Sequence, residues 1–589
     1  MSPKILSLHI ILASLAFTSR LQGTLARYEH EQGESFVGTA RDSNLDWVEA
    51  SWASIQPAKE LVWAKCYNET LECSRLQVPL NYSDPEGQSA AIALARIKAN
   101  VSSDSPDYLG PILFNPGGPG GSGVDLILSR GQSLATVVGP QFDIVGFDPR
   151  GVARSTPKVS WFKTRVEREV WSRPIARELN HSSDNVASHW ARDKIDGRLA
   201  GERLADVLPH IQTDHTARDM LRITEAYGKE KIQYWGFSYG TVLGSTFAAM
   251  FPDKVHRIVI DGVVDVENDY YSTRWTENLL DTDDTLNWFF KDCFNAGPEL
   301  CSFYESSPEA IGERLNRLYN SIIQTPVAVH TEQFYGIVDY ARLRQTILPN
   351  LYSPFAAWKT LANGLADLEA GNGTVLYQML EVPPFECTCD PLEHAFDSVP
   401  DAQTAILCND GDIVPSSLED AEQHYQDVLK VSEWGSIWAG FRMACSSWPR
   451  IPKSFFRGPI SGNTSHPILL IGNTADPVAP LHAARVVSEG FPGSVVLTQD
   501  CAGHCSIAAP SICTARAVRS YFVNGTLPEP GTVCPIIGTP FKDPTSESDL
   551  KKRRLFEGEL AQGDAELLEA LRHLGGLSGG RPGLSPFHL

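Results

Sequence analysis

Short apolar segments of five to seven residues recur along the chain, and longer segments with helix-like spacing separate most of them. Runs of this length, bounded by turn-forming residues, are typical of buried β-strands. Strands that alternate with helices favour a mostly parallel sheet with helices on both faces. The predicted strands are 108–114, 142–147, 232–237, 257–261, 466–471 and 494–498.

The spacing of these strands leaves one long gap. Strand-like runs stop near Val264 and resume near His466. The intervening region carries Trp, Tyr and Leu at helical spacing, as at 275–281 and 361–367. Because the strand rhythm resumes, we predict a mainly helical cap at 266–452 inserted before the last strands, in preference to a separate structural domain. The other predicted segments are a signal peptide at 1–26, a lead-in with the first strands at 27–105, the core at 106–265 and 453–541, and a mobile tail at 542–589.

The start of the chain has the pattern of an export signal. Lys4 supplies a short positive segment, residues 5–17 are mainly apolar, and small or polar residues follow to Ala26. The apolar run is too short to span a membrane comfortably, so we predict a secreted, extracellular protein with no membrane partner. A buried N-terminal helix or an anchor is the alternative. The net charge of −21 argues against nucleic acid as a partner, because phosphate binding needs a basic surface. The oligomeric state stays open.

The cysteine pattern fits an exported protein. There are twelve cysteines, and an even number favours disulfides over a metal site. Cys387 and Cys389 have a C-x-C spacing near His394, but no second close pair completes a set of four zinc ligands. We therefore predict no metal. Two local loops are plausible, Cys66 with Cys73 and Cys293 with Cys301, whereas the other eight cysteines cannot be paired from the sequence.

Asparagine sequons point the same way. The chain has seven N-x-S/T acceptors, and each one implies a possible surface site for an N-linked glycan. Seven acceptors behind a signal peptide support a eukaryotic secretory route. The predicted glycosylation sites are Asn68, Asn81, Asn100, Asn180, Asn372, Asn463 and Asn524.

The pentapeptide at 236–240 is a G-x-S-x-G with Ser238 at its centre. It ends the strand at 232–237 and precedes a helix-like segment at 241–251, which is the strand–turn–helix order of a nucleophile elbow. The glycines allow a sharp turn that exposes the serine hydroxyl. We therefore predict that Ser238 is a catalytic nucleophile; a structural serine in a tight turn is the alternative.

A glycine-rich loop at 115–123 follows the first strand and lies upstream of the pentapeptide. The backbone of such a loop can approach a reacting carbonyl closely. A phosphate-binding P-loop is disfavoured, because no G-K-[ST] follows. We predict that the N–H groups of Gly118 and Tyr239 form an oxyanion hole.

The acid and base of a hydrolase elbow follow the serine in the order Asp, His. Asp476 comes directly after the strand at 466–471, and His504 follows the next strand. We predict His504 as general base and Asp476 as the residue that orients it. Asp500 is the rival acid, but it lies on the same short loop as the histidine.

These motifs together resemble the secreted tripeptidyl-aminopeptidase-like branch of the α/β-hydrolases, in its fungal-type form, which is related to the prolyl aminopeptidases. The similarity covers about 63–541. Pro116 stands where prolyl aminopeptidases carry His, so prolyl specificity is not carried over. The resemblance implies the α/β-hydrolase fold and hydrolysis of peptides from their N-termini through an acyl-enzyme, without a cofactor. The motifs are 114–123, 143–151, 235–241, 445–449, 503–506 and 524–528.

An aminopeptidase must also hold the ammonium group of its substrate. Carboxylates in the cap would do this, and Glu381, Glu386 and Asp390 are the candidates in a Pro- and Cys-rich segment. The alternative is that each is a solvated surface acid. Two other functions stay open: an esterase or lactonase for a small molecule with the same triad, and a binding protein without catalysis.

Overall fold

The computed structural model describes residues 52, 54–172, 178–380, 399–451, 456–542 and 563–576. The predicted signal peptide lies outside these residues. A ten-stranded sheet runs through the molecule in the order β1-β2-β3-β5-β4-β6-β7-β10-β11-β12. The first three strands pair antiparallel, and the seven from β5 to β12 pair parallel. The strands are β1 Ala64–Cys66, β2 Asn68–Pro79, β3 Ser89–Ile97, β4 Gly110–Asn115, β5 Phe142–Phe147, β6 Ile232–Phe237, β7 Val255–Asp261, β10 Leu469–Ala475, β11 Val495–Ala502 and β12 Val533–Pro535.

Helices cover both faces of this sheet, as predicted. Alternate residues of β4 point to opposite sides. Ile112 and Phe114 pack in the cluster that contains Val124, whereas Leu113 packs in the cluster that contains Met220. The helices of the core are α1 Gly123–Val138, α2 Arg165–Ser172, α3 Asn185–Arg203, α4 Thr213–Ala226, α5 Tyr239–Met250, α14 Leu481–Glu489 and α15 Ile512–Asn524.

The described chain between β7 and β10 is mainly helical. A two-stranded hairpin, β8 Val327–His330 with β9 Tyr335–Val338, is its extended part. The prediction of a helix over 361–367 is confirmed, but 275–281 forms only a short 3₁₀ turn at Glu277–Leu279. The boundaries 266–452 of an inserted cap stay a prediction. The helices here are α6 Thr282–Ala296, α7 Pro308–Gln324, α8 Tyr340–Leu351, α9 Pro354–Glu369, α10 Thr374–Met379, α11 Val399–Asp410, α12 Leu418–Val431 and α13 Gly435–Ala444.

Part of the predicted mobile tail is folded. Residues Asp564–Leu574 form helix α16, which packs against α1 and α15. Leu567 and Leu571 are buried, and Arg516 pairs with Asp564 at 2.7 Å. The tail prediction is wrong for this segment, because leucines at helical spacing give the helix an apolar face that the core covers. The rest of the tail, apart from Lys542, Gly563, Gly575 and Gly576, lies outside the described residues.

Four disulfides link eight of the ten described cysteines. Both predicted local pairs, Cys66–Cys73 and Cys293–Cys301, are present. Cys387 and Cys389 lie outside the described residues. Cys501 and Cys505 differ from the disulfide expectation, because both are buried thiols. The other two bridges are Cys408–Cys445 and Cys513–Cys534.

Most sequon asparagines lie at the surface. Six are exposed, whereas Asn81 is half-buried. Among the described residues, no helix combines the length and the hydrophobicity that crossing a membrane requires.

Candidate active site

Ser238 lies in a sharp turn between β6 and α5. Its φ is +56° and its ψ is −123°, a conformation that non-glycine residues rarely adopt and that occurs at functional turns. The backbone N–H of Ser238 donates to the carbonyl oxygen of Asp261 at 2.9 Å, at the end of the neighbouring strand β7. This strained turn presents the serine at the carboxyl edge of the sheet, where parallel α/β sheets bind their ligands.

The glycine-rich loop lies directly against this turn. Gly117 has φ +94°, and a Cβ at this position would lie 2.8 Å from the Cβ of Ser238 and 3.0 Å from the backbone nitrogen of Tyr239. Only a residue without a side chain allows this approach. Asn115 fixes the start of the loop, because its Oδ1 accepts the N–H of Gly117 at 2.9 Å. Tyr239 is the first residue of α5, so its N–H has no acceptor within the helix.

His504 and Asp476 form a buried hydrogen-bonded pair. The Nδ1 of His504 lies 2.9 Å and 3.0 Å from the two carboxylate oxygens of Asp476. Three backbone N–H groups, those of Val478, Ala479 and Cys505, also donate to this carboxylate at 2.9–3.0 Å. The five contacts fix the position and the direction of the carboxylate.

The rival acid Asp500 lies elsewhere. Its side chain is exposed, and its Oδ1 accepts a hydrogen bond from the hydroxyl of Thr474 at 2.9 Å. Of the two acids considered from the sequence, Asp476 is therefore the one that contacts His504.

Two residues that the sequence did not single out hold the His504 loop. The carbonyl oxygen of Tyr352 accepts the backbone N–H of His504 at 2.9 Å, and its ring lies edge-on to the imidazole at 5.0 Å. The side-chain amide of Asn473 donates to the carbonyl oxygens of Gly503 and Cys505, at 2.7 Å each. Tyr352 comes from α8's C-terminal end, so a segment between β7 and β10 helps to set the histidine.

Asp261 connects the serine turn to the histidine loop. Its backbone oxygen accepts both the N–H of Ser238 at 2.9 Å and the thiol of Cys505 at 3.3 Å. Its carboxylate accepts the N–H and the hydroxyl of Ser506, at 2.7 Å and 2.5 Å. Burial raises the pKa of Asp261 to about 6. An acidic residue at the end of the buried apolar run 257–261 was the sequence signal that could have found it.

One residue cluster in the described chain has the donor atoms of a metal site. Asp476, His504 and Cys505 each bring a ligand atom, and these atoms lie within 4.8 Å of one another. The carboxylate already accepts the hydrogen bonds given above, and burial raises the pKa of the Cys505 thiol well above its usual range. A neutral thiol is a weak metal ligand, so the Asp–His pair accounts for this cluster without an ion.

A cleft opens beside Ser238. Aromatic residues form much of its wall, and every described residue that lines it is uncharged. Tyr352 also lines the cleft, so the same residue borders this space and contacts His504. The predicted ammonium-binding residues Glu381, Glu386 and Asp390 lie outside the described residues. The lining residues are Gly118, Pro119, Ser238, Tyr239, Val242, Val264, Tyr270, Trp275, Asn278, Tyr352, Gln403, Leu407, Trp438, Phe441 and Val478.

Two known protein families match the two parts of the core. The alpha/beta hydrolase fold family matches residues 110–299, and the TAP-like protein family matches residues 430–534. Serine protease Hip1 of Mycobacterium tuberculosis is 29% identical over 471 residues, which cover 78% of this chain and 87% of that protein. Tripeptidyl aminopeptidase of Streptomyces lividans is 25% identical over 87% of this chain and 92% of its own length.

A relative with a different name is similar to the same degree. Carboxylesterase B of Mycobacterium tuberculosis is 28% identical over 492 residues, 82% of this chain and 89% of that protein. The fungal-type assignment stays a prediction. The fold and the first family match make the chain an α/β hydrolase, and its similarity to TAP-like proteins and to these relatives supports a serine hydrolase of the tripeptidyl-aminopeptidase-like kind.

Proposed function

We propose that the protein is a secreted serine aminopeptidase that releases residues or short peptides from peptide N-termini. Ser238 is the nucleophile, His504 the general base and Asp476 the acid that orients the histidine. The observation that carries the proposal is the pairing of His504 Nδ1 with the Asp476 carboxylate, at 2.9 Å and 3.0 Å, on a loop tied through Asp261 to the backbone of Ser238.

The pairing also sets the direction of proton transfer. Because Asp476 accepts a hydrogen bond from the N–H at Nδ1, Nε2 of His504 keeps its lone pair and can take the hydroxyl proton of Ser238. The serine oxygen then attacks the substrate carbonyl, and Asp476 stabilises the imidazolium that forms. His504 returns the proton to the leaving amine, and water hydrolyses the acyl-enzyme by the same route.

An oxyanion hole would hold the charge that develops on the carbonyl oxygen. We assign it to the N–H groups of Gly118 and Tyr239. Support comes from the close approach of the glycine-rich loop to the Ser238 turn and from the free N–H at the start of α5. The positive end of the helix dipole favours the same charge.

The peptide substrate rests on the relatives named serine protease and tripeptidyl aminopeptidase. A peptidase of this kind needs a carboxylate for the substrate ammonium, and Glu381, Glu386 and Asp390 remain the candidates for that role. The apolar wall of the cleft suits an uncharged side chain next to the scissile bond.

The test is a panel of tripeptidyl and aminoacyl anilides, each with a free or an acetylated N-terminus, beside short acyl esters. We expect turnover of the free peptides, and loss of turnover on acetylation because the ammonium is gone. Ser238→Ala should abolish turnover, whereas Ser129→Ala, at an exposed serine, should not. Equal cleavage of free and acetylated peptides would reject the aminopeptidase, and activity in Ser238→Ala would reject the nucleophile.

An esterase or lactonase is the second candidate. The uncharged lining of the cleft favours an esterase or lactonase, because none of the described lining residues has a carboxylate that could bind an ammonium group. One relative also carries the name carboxylesterase. Cleavage of esters alone in the panel above would choose this function.

Export is part of the proposal. Four disulfides and the mainly exposed sequon asparagines support passage through an oxidising secretory route. Expression with the native N-terminus in a eukaryotic host should release into the culture medium a protein that begins near residue 27. Treatment with peptide-N-glycosidase should lower its mass. A protein retained in the cells with an intact N-terminus would contradict export.

We also propose that 266–452 acts as one cap over the cleft.

A further inference from the structure

A buried carboxylate at the end of α11 contacts residues of the core beside the nucleophile. Asp410 is 1% exposed. Its Oδ1 accepts the backbone N–H of Thr213 at 2.8 Å, and its Oδ2 accepts the hydroxyls of Thr213 and Tyr270 at 2.5 Å and 2.9 Å. Thr213 begins α4 and Tyr270 lies in the helical turn Val266–Tyr271 after β7, so one side chain from α11 joins two segments that are far from it along the chain.

The hydrogen bonds around Thr213 have a defined direction. An ionised carboxylate can only accept, so the single hydroxyl proton of Thr213 points to Asp410. The hydroxyl of Tyr239 lies 2.5 Å from Thr213 Oγ1 and must then be the donor of that bond. The hydrogen-bond chain therefore runs from the hydroxyl of Tyr239 to the hydroxyl of Thr213 and on to the carboxylate of Asp410. Burial raises the pKa of Asp410 to about 7, and the nearby charge of Asp214 adds to the rise, so this direction holds above that pH.

The chain ends on the residue next to the nucleophile. Tyr239 follows Ser238 directly, its ring lines the cleft, and its N–H is one of the two proposed oxyanion donors. Its side chain is 4% exposed and is held at the hydroxyl by Thr213. A side chain fixed at its far end also restricts the backbone that carries it, and an oxyanion donor must be set to within a fraction of an ångström.

We propose that Asp410 is a positioning residue for the oxyanion hole, acting through the hydroxyl groups of Thr213 and Tyr239. The inference rests on the proposed serine hydrolase chemistry of Ser238. Asp410 does not serve as the ammonium site, because its oxygens are filled by three protein donors and it does not line the cleft.

The test compares Thr213→Val, Tyr239→Phe and their double variant at pH 8. Each single variant removes one hydroxyl, and all three variants keep the backbone N–H of residue 239. We expect each single variant to lower kcat about five- to tenfold with little change in KM, because the donor acts in the transition state. The double variant should fall no further, since both changes break one chain. Thr213→Ser keeps the hydroxyl and should restore kcat.

A matched control separates this role from packing. Tyr271 is also buried, and its hydroxyl forms a hydrogen bond with Thr246 at 3.0 Å. Because this hydroxyl is not part of the hydrogen bonds that link Tyr239, Thr213 and Asp410, Tyr271→Phe should leave kcat unchanged. A fluorophosphonate that labels the active serine supplies a second readout, and its rate should fall in parallel with kcat. Wild-type kcat in Tyr239→Phe, or additive losses in the double variant, would overturn the positioning role. A wild-type protein that is not labelled at Ser238 would instead reject the proposed function.

Discussion

The carboxylate of Asp261 accepts two hydrogen bonds from Ser506, one from the backbone N–H at 2.7 Å and one from the hydroxyl at 2.5 Å. Asp261 ends β7 and its carbonyl holds the N–H of Ser238, whereas Ser506 lies two residues after His504. The two bonds therefore link the chain segments that carry Ser238 and His504, whose side chains must meet in the proposed proton transfer. Both partners are buried, so water does not compete for the contact.

We predict that Asp261→Asn lowers kcat about tenfold or more with a small effect on KM. The amide can accept on one side only, so one Ser506 contact is lost and the His504 loop shifts relative to Ser238. Steady-state kinetics and the rate of fluorophosphonate labelling measure the loss. Asp143→Asn is the matched control, because Asp143 is a buried carboxylate that bonds Arg96 on the far side of β4. Equal kcat in the two variants would show that Asp261 has only a structural role.

Gly117→Ala tests the glycine-rich loop. A Cβ there would lie 3.0 Å from the Tyr239 nitrogen, so the loop must move away from the elbow, and we expect kcat to fall about 10²-fold or more. Gly228→Ala is the control, since Gly228 also has a positive φ, +69°, but has open space around it. Both variants should lose stability from backbone strain, and only Gly117→Ala should lose kcat. Loss of kcat in both would trace the effect to strain instead.

The sequence predicted the elements whose signals are local. The strands at 142–147 and 232–237 are reproduced residue for residue, because each is a short, mainly apolar run ended by turn residues. The pentapeptide and the residues after the last strands located Ser238, Asp476 and His504 for the same reason. Their positions at the carboxyl ends of parallel strands follow from chain order alone.

The contacts that join distant segments could not be predicted in this way. Thr213 and Asp410 are 197 positions apart, and nothing near either residue indicates the other. The prediction of a helix over 275–281 is wrong for a similar reason. The carboxylate of Asp269 accepts the N–H groups of Thr276 and Glu277, at 3.0 Å and 3.3 Å, and holds a turn in which Trp275 has φ +47°. Burial in the tertiary structure outweighs local helix propensity here.

Trp438→Ala tests whether the aromatic wall selects the substrate. Trp438 lines the cleft and packs edge-on to Phe441 at 5.2 Å. Loss of the ring removes apolar contact, so we expect kcat/KM to fall about 10- to 100-fold for anilides with a large apolar residue and much less for those with alanine. Trp190→Ala, at a residue that does not line the cleft, should leave this ratio unchanged. An equal fall for large and small residues would remove Trp438 from the specificity determinants.

The buried carboxyl of Asp269 should make the protein less stable at alkaline pH. Burial raises the pKa of Asp269 to about 7, far above the value near 4 of an unfolded chain. The folded state therefore binds this proton more tightly than the unfolded state. Its contribution to stability is fully present below about pH 4 and is lost as the pH rises through about 7.

Asp269→Asn isolates this contribution. The amide oxygen can still accept the N–H of Thr276, but no charge is buried at pH 8. We expect the variant to gain about 3 kcal/mol in free energy of unfolding over wild type between pH 5 and pH 8, because the wild-type loss covers roughly the two pH units from 5 to 7 and each is worth about 1.4 kcal/mol. Urea unfolding at both pH values gives the difference. Asp104→Asn, at an exposed acid, should follow wild type at both. A constant difference between Asp269→Asn and wild type would mean that the carboxyl does not titrate in this range.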